Sequence, residues 1–255
     1  MLYPGNGQAL FVQLKETILH KIQQGEYVEG CCLPSERQLA EIYGISRVTV
    51  RQALNELVQE RVLVKRHGKG TFVAFKRIDQ NLDGLLGFVE EFAVRNLKCE
   101  VKVEQMRYEV APDLACAAMQ VPKKTRMLMI VRVIYVENHP LALDRTYVPE
   151  SVAYLVENLD FRNEMLYNFL ERSGYRLTEA HQEIGAAIPS SEEARLLNLE
   201  STSPVLVIHR TTYVEGGKPI IHNRAVYRAD RYLYNLTLKR RPYGLSGSPN
   251  LFHPL

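Results

Sequence analysis

SRVTVRQALNELVQERVLVKRHGKGTFV, residues 46–73, joins an amphipathic run to two β-branched stretches around a glycine-rich basic loop. Val50, Ala53, Leu54, Leu57 and Val58 fall at i, i+3, i+4, i+7 and i+8, which commits one face of a helix to a core. Arg47, Thr49, Arg51, Gln52 and Asn55 are left for the opposite side, and Ser46 is placed to cap the start. Residues 62–64 and 71–73 have strand character, with KRHGKG as the tip of a hairpin between them. A nucleotide-phosphate loop of the Walker type needs G-x-x-x-x-G-K-[ST] between a strand and a helix. Here the order is G-K-G-T and a strand follows, so spacing and context both exclude it. The glycines instead let a basic hairpin tip approach the backbone of a larger polyanion.

Working outward, apolar residues at 10, 11, 14, 18, 19 and 22 predict a helix over residues 10–24, stopped by Gly25. Pro34 and Ser35 introduce a second over residues 36–43, Gly44 ends it, and Ser46 opens the third. Two short helices joined by a tight glycine-containing turn, the second with basic and hydrogen-bonding groups in its first turn, form a helix-turn-helix pattern, and the hairpin supplies a wing. Arginine pairs with guanine through two hydrogen bonds, and Ser, Thr, Gln and Asn reach phosphates or adenine edges. The net charge of +3 conceals a concentration of basicity: residues 37–77 hold nine Lys/Arg against three Glu.

The 255 residues, 46% hydrophobic, suffice for two cores. No apolar run is long enough to span a bilayer, and MLYPGNGQAL lacks the regions of a signal peptide, so a soluble, cytoplasmic protein without a membrane partner is expected. Cys31, Cys32, Cys99 and Cys116 have neither metal-site nor disulfide spacing, and His181, His209 and His222 lack close ligand spacing. No metal site and no cofactor are expected. Residues 76–84 break the periodicity and read as a linker. Beyond it, helical and strand-like segments alternate: helices over 85–94, 112–121, 150–159, 163–174 and 190–199, strands over 99–110 and 177–188, and hairpins over 128–149 and 205–238. That mixture implies an α+β unit. In both hairpins a proline stands five residues before an arginine, Pro140 to Arg145 and Pro219 to Arg224. Either they are two equivalent hairpins of one sheet or common hairpin chemistry has converged. The end of the chain turns Gly/Ser/Pro-rich, and a flexible tail is expected over residues 241–255.

The run LPSERQLAEIYGISRVTVRQALNELVQERVLVKRHGKGTFV, residues 33–73, resembles the winged helix-turn-helix of the GntR superfamily of bacterial transcription regulators. It has the Pro-Ser-Glu-Arg start, the Ser-Arg-x-Thr-Val-Arg recognition start and the Gly-x-Gly-Thr wing. The stretches GFVEEF, VRVIYVENHPLALDRTYVP and RTTYVEGGKPIIHNRAVYRADRY resemble the UTRA domain of the HutC subfamily, which is similar in fold to chorismate lyase. The resemblance implies a winged helix-turn-helix domain over residues 1–75 followed by a chorismate-lyase-like α/β domain with an antiparallel sheet over residues 85–240. It also implies that Arg37 and Arg47 reach bases and that Ser46, Thr49 and Arg51 hold phosphates. The wing tip, Arg66, His67, Gly68, Lys69 and Gly70, is implied to reach the minor groove of a double-stranded operator. A homodimer is implied as well, with the C-terminal domains binding effector and pairing. The rival reading is an enzyme using the chorismate-lyase-like domain on a small anionic metabolite, but no nucleophile-base signature is visible.

The expected effector pocket departs from relatives that bind phosphorylated amino sugars. Those place hydroxyls on either side of the residue matching Phe88, where this chain has Gly87 and Val89. Their second strand arginine is Ile134 here, beside a retained Arg132. A serine is replaced by Met165, two before Tyr167, and a glutamate by Ile221. The swaps run from polar to apolar. The expectation is therefore an anionic effector less polar than a sugar phosphate, paired by Arg132, with Asp144, Glu183 and Tyr227 as polar contacts. A different polar ligand, or a pocket without an effector, remain the alternatives.

Overall fold

Ser35 and Ser46 set the geometry of the N-terminal unit. In the computed structural model, which describes residues 7–75, 77–81, 85–87, 89–93 and 97–237, the helices are α1 (Leu10–Gln23), α2 (Glu36–Tyr43) and α3 (Arg47–Gln59). Ser35 Oγ accepts from the Gln38 N–H at 3.3 Å, and Gln38 Oε1 accepts from the Ser35 N–H at 2.9 Å, a reciprocal capping box. Ser46 Oγ accepts from the Thr49 N–H at 3.1 Å. Gly44 closes α2 at φ 67°, a left-handed conformation that costs glycine nothing. Leu14, Ile18, Leu39, Val50, Ala53, Leu54 and Leu57 form the shared core, each with no exposed surface. The apolar face predicted for α3 is the buried one.

Strands β1 (Leu63–Arg66) and β2 (Gly70–Val73) pair antiparallel with Arg66 opposite Gly70. Lys65 and Arg66 are thus strand residues, and the tip is His67-Gly68-Lys69, with Gly68 at φ 69°. Next comes β3 (Ile78–Asn81), inside the segment expected as a linker. It forms a two-stranded ribbon with β10 (Tyr232–Asn235), a partner near the other end of the chain that no local pattern could reveal. The chain divides into two compact units, Met1–Ile78 and Asp79–Leu255. Residues 76 and 82–84 of the expected linker, the tail over 241–255 and Phe88 lie outside the described residues.

The second unit holds α4 (Glu90–Ala93), β4 (Cys99–Val110), α5 (Asp113–Ala118), β5 (Arg126–Val136), β6 (His139–Pro149), α6 (Glu150–Val156), α7 (Leu166–Arg172), β7 (Leu177–Ala187), α8 (Ser191–Leu196), β8 (Val205–Val214) and β9 (Lys218–Arg228). Six strands form one antiparallel sheet in the order β4-β5-β6-β9-β8-β7. The order is the same from either edge: hairpins β5–β6 and β8–β9 stand back to back, with Arg145 directly opposite Arg224. The repeated proline-to-arginine spacing therefore marks two equivalent hairpins.

Side chains alternate across a sheet, so each strand feeds two cores. Leu128, Ile130, Val148 and Ile221 face Val152 and Val156 of α6 and Leu166 and Leu170 of α7. On the other face Met129, Val131, Leu143 and Val226 meet Ala115 and Cys116 of α5 and Leu197 beyond α8. β5 is covered on both sides, which explains its nearly unbroken apolar run. Arg132 interrupts that run and, by alternation, belongs to the α6–α7 face. Among the described residues no helix is long and apolar enough to cross a membrane.

Candidate nucleic-acid interface and effector pocket

The exposed residues of α3 and the wing gather the basic groups singled out above. Arg47, Val48 and Arg51 are exposed, with Val48 at 74%, while Val50, one residue on from Thr49, is fully buried. An apolar side chain held in water at the start of a recognition helix suits contact with a thymine methyl. Ser46 and Thr49 are half-committed to each other, their hydroxyls 2.8 Å apart.

Two expected contacts already have acidic partners. Arg37 Nη1 lies 3.0 Å from Glu41 Oε1, and Arg51 Nε lies 3.0 Å from Glu36 Oε2. Lys65 reaches the same Glu36 at 3.7 Å and donates to Asn55 Oδ1 at 2.8 Å, which ties the wing to α3. Exposed pairs of this kind contribute about 0–1 kcal/mol, little enough for phosphate to displace the carboxylate. At the wing, the Arg66 guanidinium sits 4.7 Å from the Phe72 ring centroid. His67, Gly68, Lys69 and Gly70 are exposed.

On the α6–α7 face of the second unit, the apolar cover opens onto a buried polar cluster. Arg132 Nε donates to Asp144 Oδ2 at 3.1 Å, and Nη2 donates both to that oxygen and to Thr146 Oγ1 at 3.1 Å. Thr146 Oγ1 donates to Asp144 Oδ2 at 2.6 Å. Asn223 Nδ2 donates to Asp144 Oδ1 at 3.0 Å and to Thr146 Oγ1 at 2.8 Å. Arg132 is 4% exposed and Asp144 is fully buried.

The hairpin equivalence accounts for this arrangement. Arg132 stands opposite Asp144 in β5–β6, and Arg210 opposite Asn223 in β8–β9. With an amide where the first hairpin has a carboxylate, Arg210 turns to Gln182 Oε1 and the Leu86 carbonyl, each at 2.7 Å.

Beside the cluster is a cavity of about 20 Å³ lined by Gly87, Val89, Glu90, Arg132, Met165, Leu166, Tyr167 and Asn223. Gly87 fits closely there: a Cβ would lie 3.3 Å from both Glu90 Cδ and Tyr167 Cγ, so a larger residue would push those side chains back by a few tenths of an ångström. Tyr167 bonds to Thr212 across 2.5 Å, and burial pushes its phenol upward in pKa.

The cavity gathers Gly87, Val89, Arg132, Met165 and Tyr167 of the expected effector residues, with Asp144 directly behind Arg132. Four others are elsewhere. Ile134 and Ile221 are core side chains with no exposed surface. Tyr227 is buried in a stack on Tyr232, with ring centroids 4.2 Å apart. Glu183 lies on β7, the edge strand, where with His209 and Arg224 it lines a separate open depression of about 430 Å³. Strand register decided these placements, and register is a long-range property. Because Arg132 is neutralised by Asp144, the arrangement does not support its assignment to an effector's negative charge. Glu90 and Asn223 escaped the sequence reading. Glu90 lay in the quoted GFVEEF without a distinguishing signal, and the one available signal for Asn223 is its place before Arg224, matching Asp144 before Arg145 in the repeated hairpin.

Near the cluster His222 stacks on His209 at 5.8 Å between centroids, and its Nδ1 bonds Thr211. Burial pushes His222 down to about 4 from 6.5, His209 adds to the effect, and Asp144 and Glu183 oppose it. Between those values the unfolded chain binds the proton that the folded chain excludes. The stability contributed is complete above pH 6.5 and falls by roughly 3 kcal/mol as pH drops through about 4. Urea unfolding at pH 7.0 and 4.5 should show a smaller difference in His222→Gln than in the wild type.

A winged helix-turn-helix with an exposed basic reading face, followed by a sheet domain with a small, mostly apolar cavity beside a buried polar cluster, defines a DNA-binding transcription regulator. Residues 10–73 match bacterial regulatory proteins of the gntR family, and residues 94–233 match the UTRA domain. The chain is 32% identical over 226 residues to the HTH-type transcriptional repressor NagR of Bacillus subtilis, covering 88% of this chain and 93% of that protein. It is 30% identical over 237 residues to the mannosyl-D-glycerate transport/metabolism system repressor MngR of Escherichia coli, covering 91% and 97%. The crystal structure of PhnF from Mycobacterium smegmatis superposes with a TM-score of 0.62 at 25% identity, covering 91% of this chain and all of that one. This protein belongs to the GntR family of regulators that carry a UTRA domain. Family and relatives are transcription regulators, which sets the enzyme alternative aside.

Proposed function

We propose that this regulator is a metabolite-responsive repressor that acts in the cytoplasm and binds a palindromic operator as a homodimer, with residues 1–75 reading DNA and residues 85–240 binding effector and pairing the subunits. The observation that carries it is the exposed first turn of α3, Arg47 and Val48 beside Arg51, on a helix joined to the basic wing through Lys65 and Asn55. Arg37 and Arg47 meet bases. Ser46, Thr49 and Arg51 hold phosphates, and Arg66, His67, Gly68, Lys69 and Gly70 follow the minor groove. A two-fold dimer doubles the contacts of a single reading head and calls for paired half-sites. An effector changes operator affinity only by binding one state of the protein better than the other.

Selection of bound sequences from random duplex DNA tests the reading. A palindromic consensus whose half-sites contain guanine or thymine at the contacted positions is expected; retention of random sequence alone would refute it. Lys69→Ala should weaken binding to all sequences alike and lower the slope of log K against log salt by about one, measured by anisotropy across a salt series.

A further inference from the structure

We infer that the cavity beside Arg132 receives its ligand through a positively charged nitrogen, a primary ammonium group held between the Glu90 carboxylate and the Asn223 side-chain carbonyl. The inference rests on reading this cavity as the effector pocket. Glu90 is 9% exposed and Asn223 is 2% exposed. Both line the cavity, and each presents one buried acceptor, Glu90 Oε1 and Asn223 Oδ1, that meets no protein donor. A buried acceptor without a partner is unfavourable enough that proteins rarely leave one, so these two atoms describe what the site lacks.

The surrounding bonds fix which chemistry is missing. The other Glu90 oxygen accepts from the Gly87 N–H at 2.8 Å, which holds the carboxylate in place. The Asn223 amide cannot be turned over, because its Nδ2 donates to Asp144 and Thr146, and a reversal would set its carbonyl against a carboxylate. Arg132 is balanced by Asp144, and Arg210 is engaged by Gln182 and the Leu86 carbonyl. Among the described residues Glu90 makes no ion pair.

A carboxylate or phosphate would bring a second negative charge to Glu90 and more acceptors to a site already in excess of them. A hydroxyl brings one hydrogen. An ammonium brings three N–H donors and cancels the charge. The cavity, about 20 Å³ and partly open, takes the ammonium head alone, and a short chain on that head extends outward from it. Val89, Met165, Leu166 and Tyr167 suit a short apolar body behind the charged head. The apolar character of Gly87, Val89 and Met165 in the lining and the missing donors thus describe one ligand class, a small aliphatic amine.

The full-length protein should be melted in n-butylammonium chloride, n-butanol and sodium butyrate at equal millimolar concentration and matched ionic strength. The ammonium is expected to raise Tm by about 3 °C, and the alcohol and the acid to leave it unchanged. Glu90→Gln, which keeps an acceptor for the Gly87 N–H, should lose the ammonium shift. The comparison of probes on the wild type decides the matter even where that variant folds poorly. A larger shift with butyrate or butanol, or an ammonium shift that survives Glu90→Gln, overturns the amine inference and leaves the pocket reading standing. No shift with any probe also overturns it. If, in addition, an extract of small metabolites leaves operator affinity unchanged, the pocket reading falls too.

Discussion

Asp144→Ala is expected to destabilise the C-terminal unit by about 3–5 kcal/mol, read as a fall in Tm of about 10 °C. Asp144 is fully buried and receives the Arg132 guanidinium, the Thr146 hydroxyl and the Asn223 amide. Removing it leaves a buried guanidinium without a counter-charge and strips donors of their acceptor. Asp144→Asn keeps acceptor capacity but loses the charge, so it should fall between the two. A double replacement by apolar residues, Arg132→Met with Asp144→Leu, should cost less than Asp144→Ala alone, because no charge is then stranded in the interior. Thermal and urea unfolding of these variants checks the order. A loss for Asp144→Ala within the range of surface substitutions, about 0.5 kcal/mol, would mean that the pair is open to water.

Arg47→Ala should weaken operator binding by about 1–3 kcal/mol per half-site, about 5- to 150-fold, and relax the preference at the base it reads. Arg47 opens α3, its side chain is exposed, and the Ser46 cap fixes the direction of that first turn. Its effect should differ in kind from that of Lys69→Ala. Loss of a base-reading group changes which sequences are bound, whereas loss of a phosphate-meeting group changes how tightly all are bound. Repeating the sequence selection with the variant separates the two. An unchanged consensus would assign base reading to another residue, with Arg37 and Val48 the next to test.

The two halves of the protein were legible to different depths. In the N-terminal unit the signals are local: Ser35 and Ser46 as caps, Gly44 in a left-handed conformation, an apolar stripe of helical period and a glycine-tipped hairpin. Each depends on residues within about one or two turns of each other, so the sequence order carries the geometry. In the C-terminal unit the helices and strands were also legible, and the matched spacing of Pro140 to Arg145 and Pro219 to Arg224 raised two equivalent hairpins as one of two readings, which the sheet order then decided. The polar cluster was harder. Which residue faces Arg132 depends on register between strands, and a slip of one residue would exchange the two faces of the sheet. Glu183 was expected among the pocket groups, yet it lies on the edge strand. Glu90 and Asn223, which line the cavity, carried no signal of their own.

Local sequence thus determined the reading head, its caps and wing and the α+β class of the second domain, because these follow from periodicity and turn chemistry along the chain. Tertiary structure alone decided that Arg132 is neutralised by Asp144, that Arg210 turns to Gln182 and Leu86 where Asn223 stands in place of the acid, that the segment after the wing pairs with β10, and that Glu90 and Asn223 come together in the lining of one cavity. Those are contacts between residues far apart in sequence, and the charge available to a ligand is the sum over them rather than the property of any one.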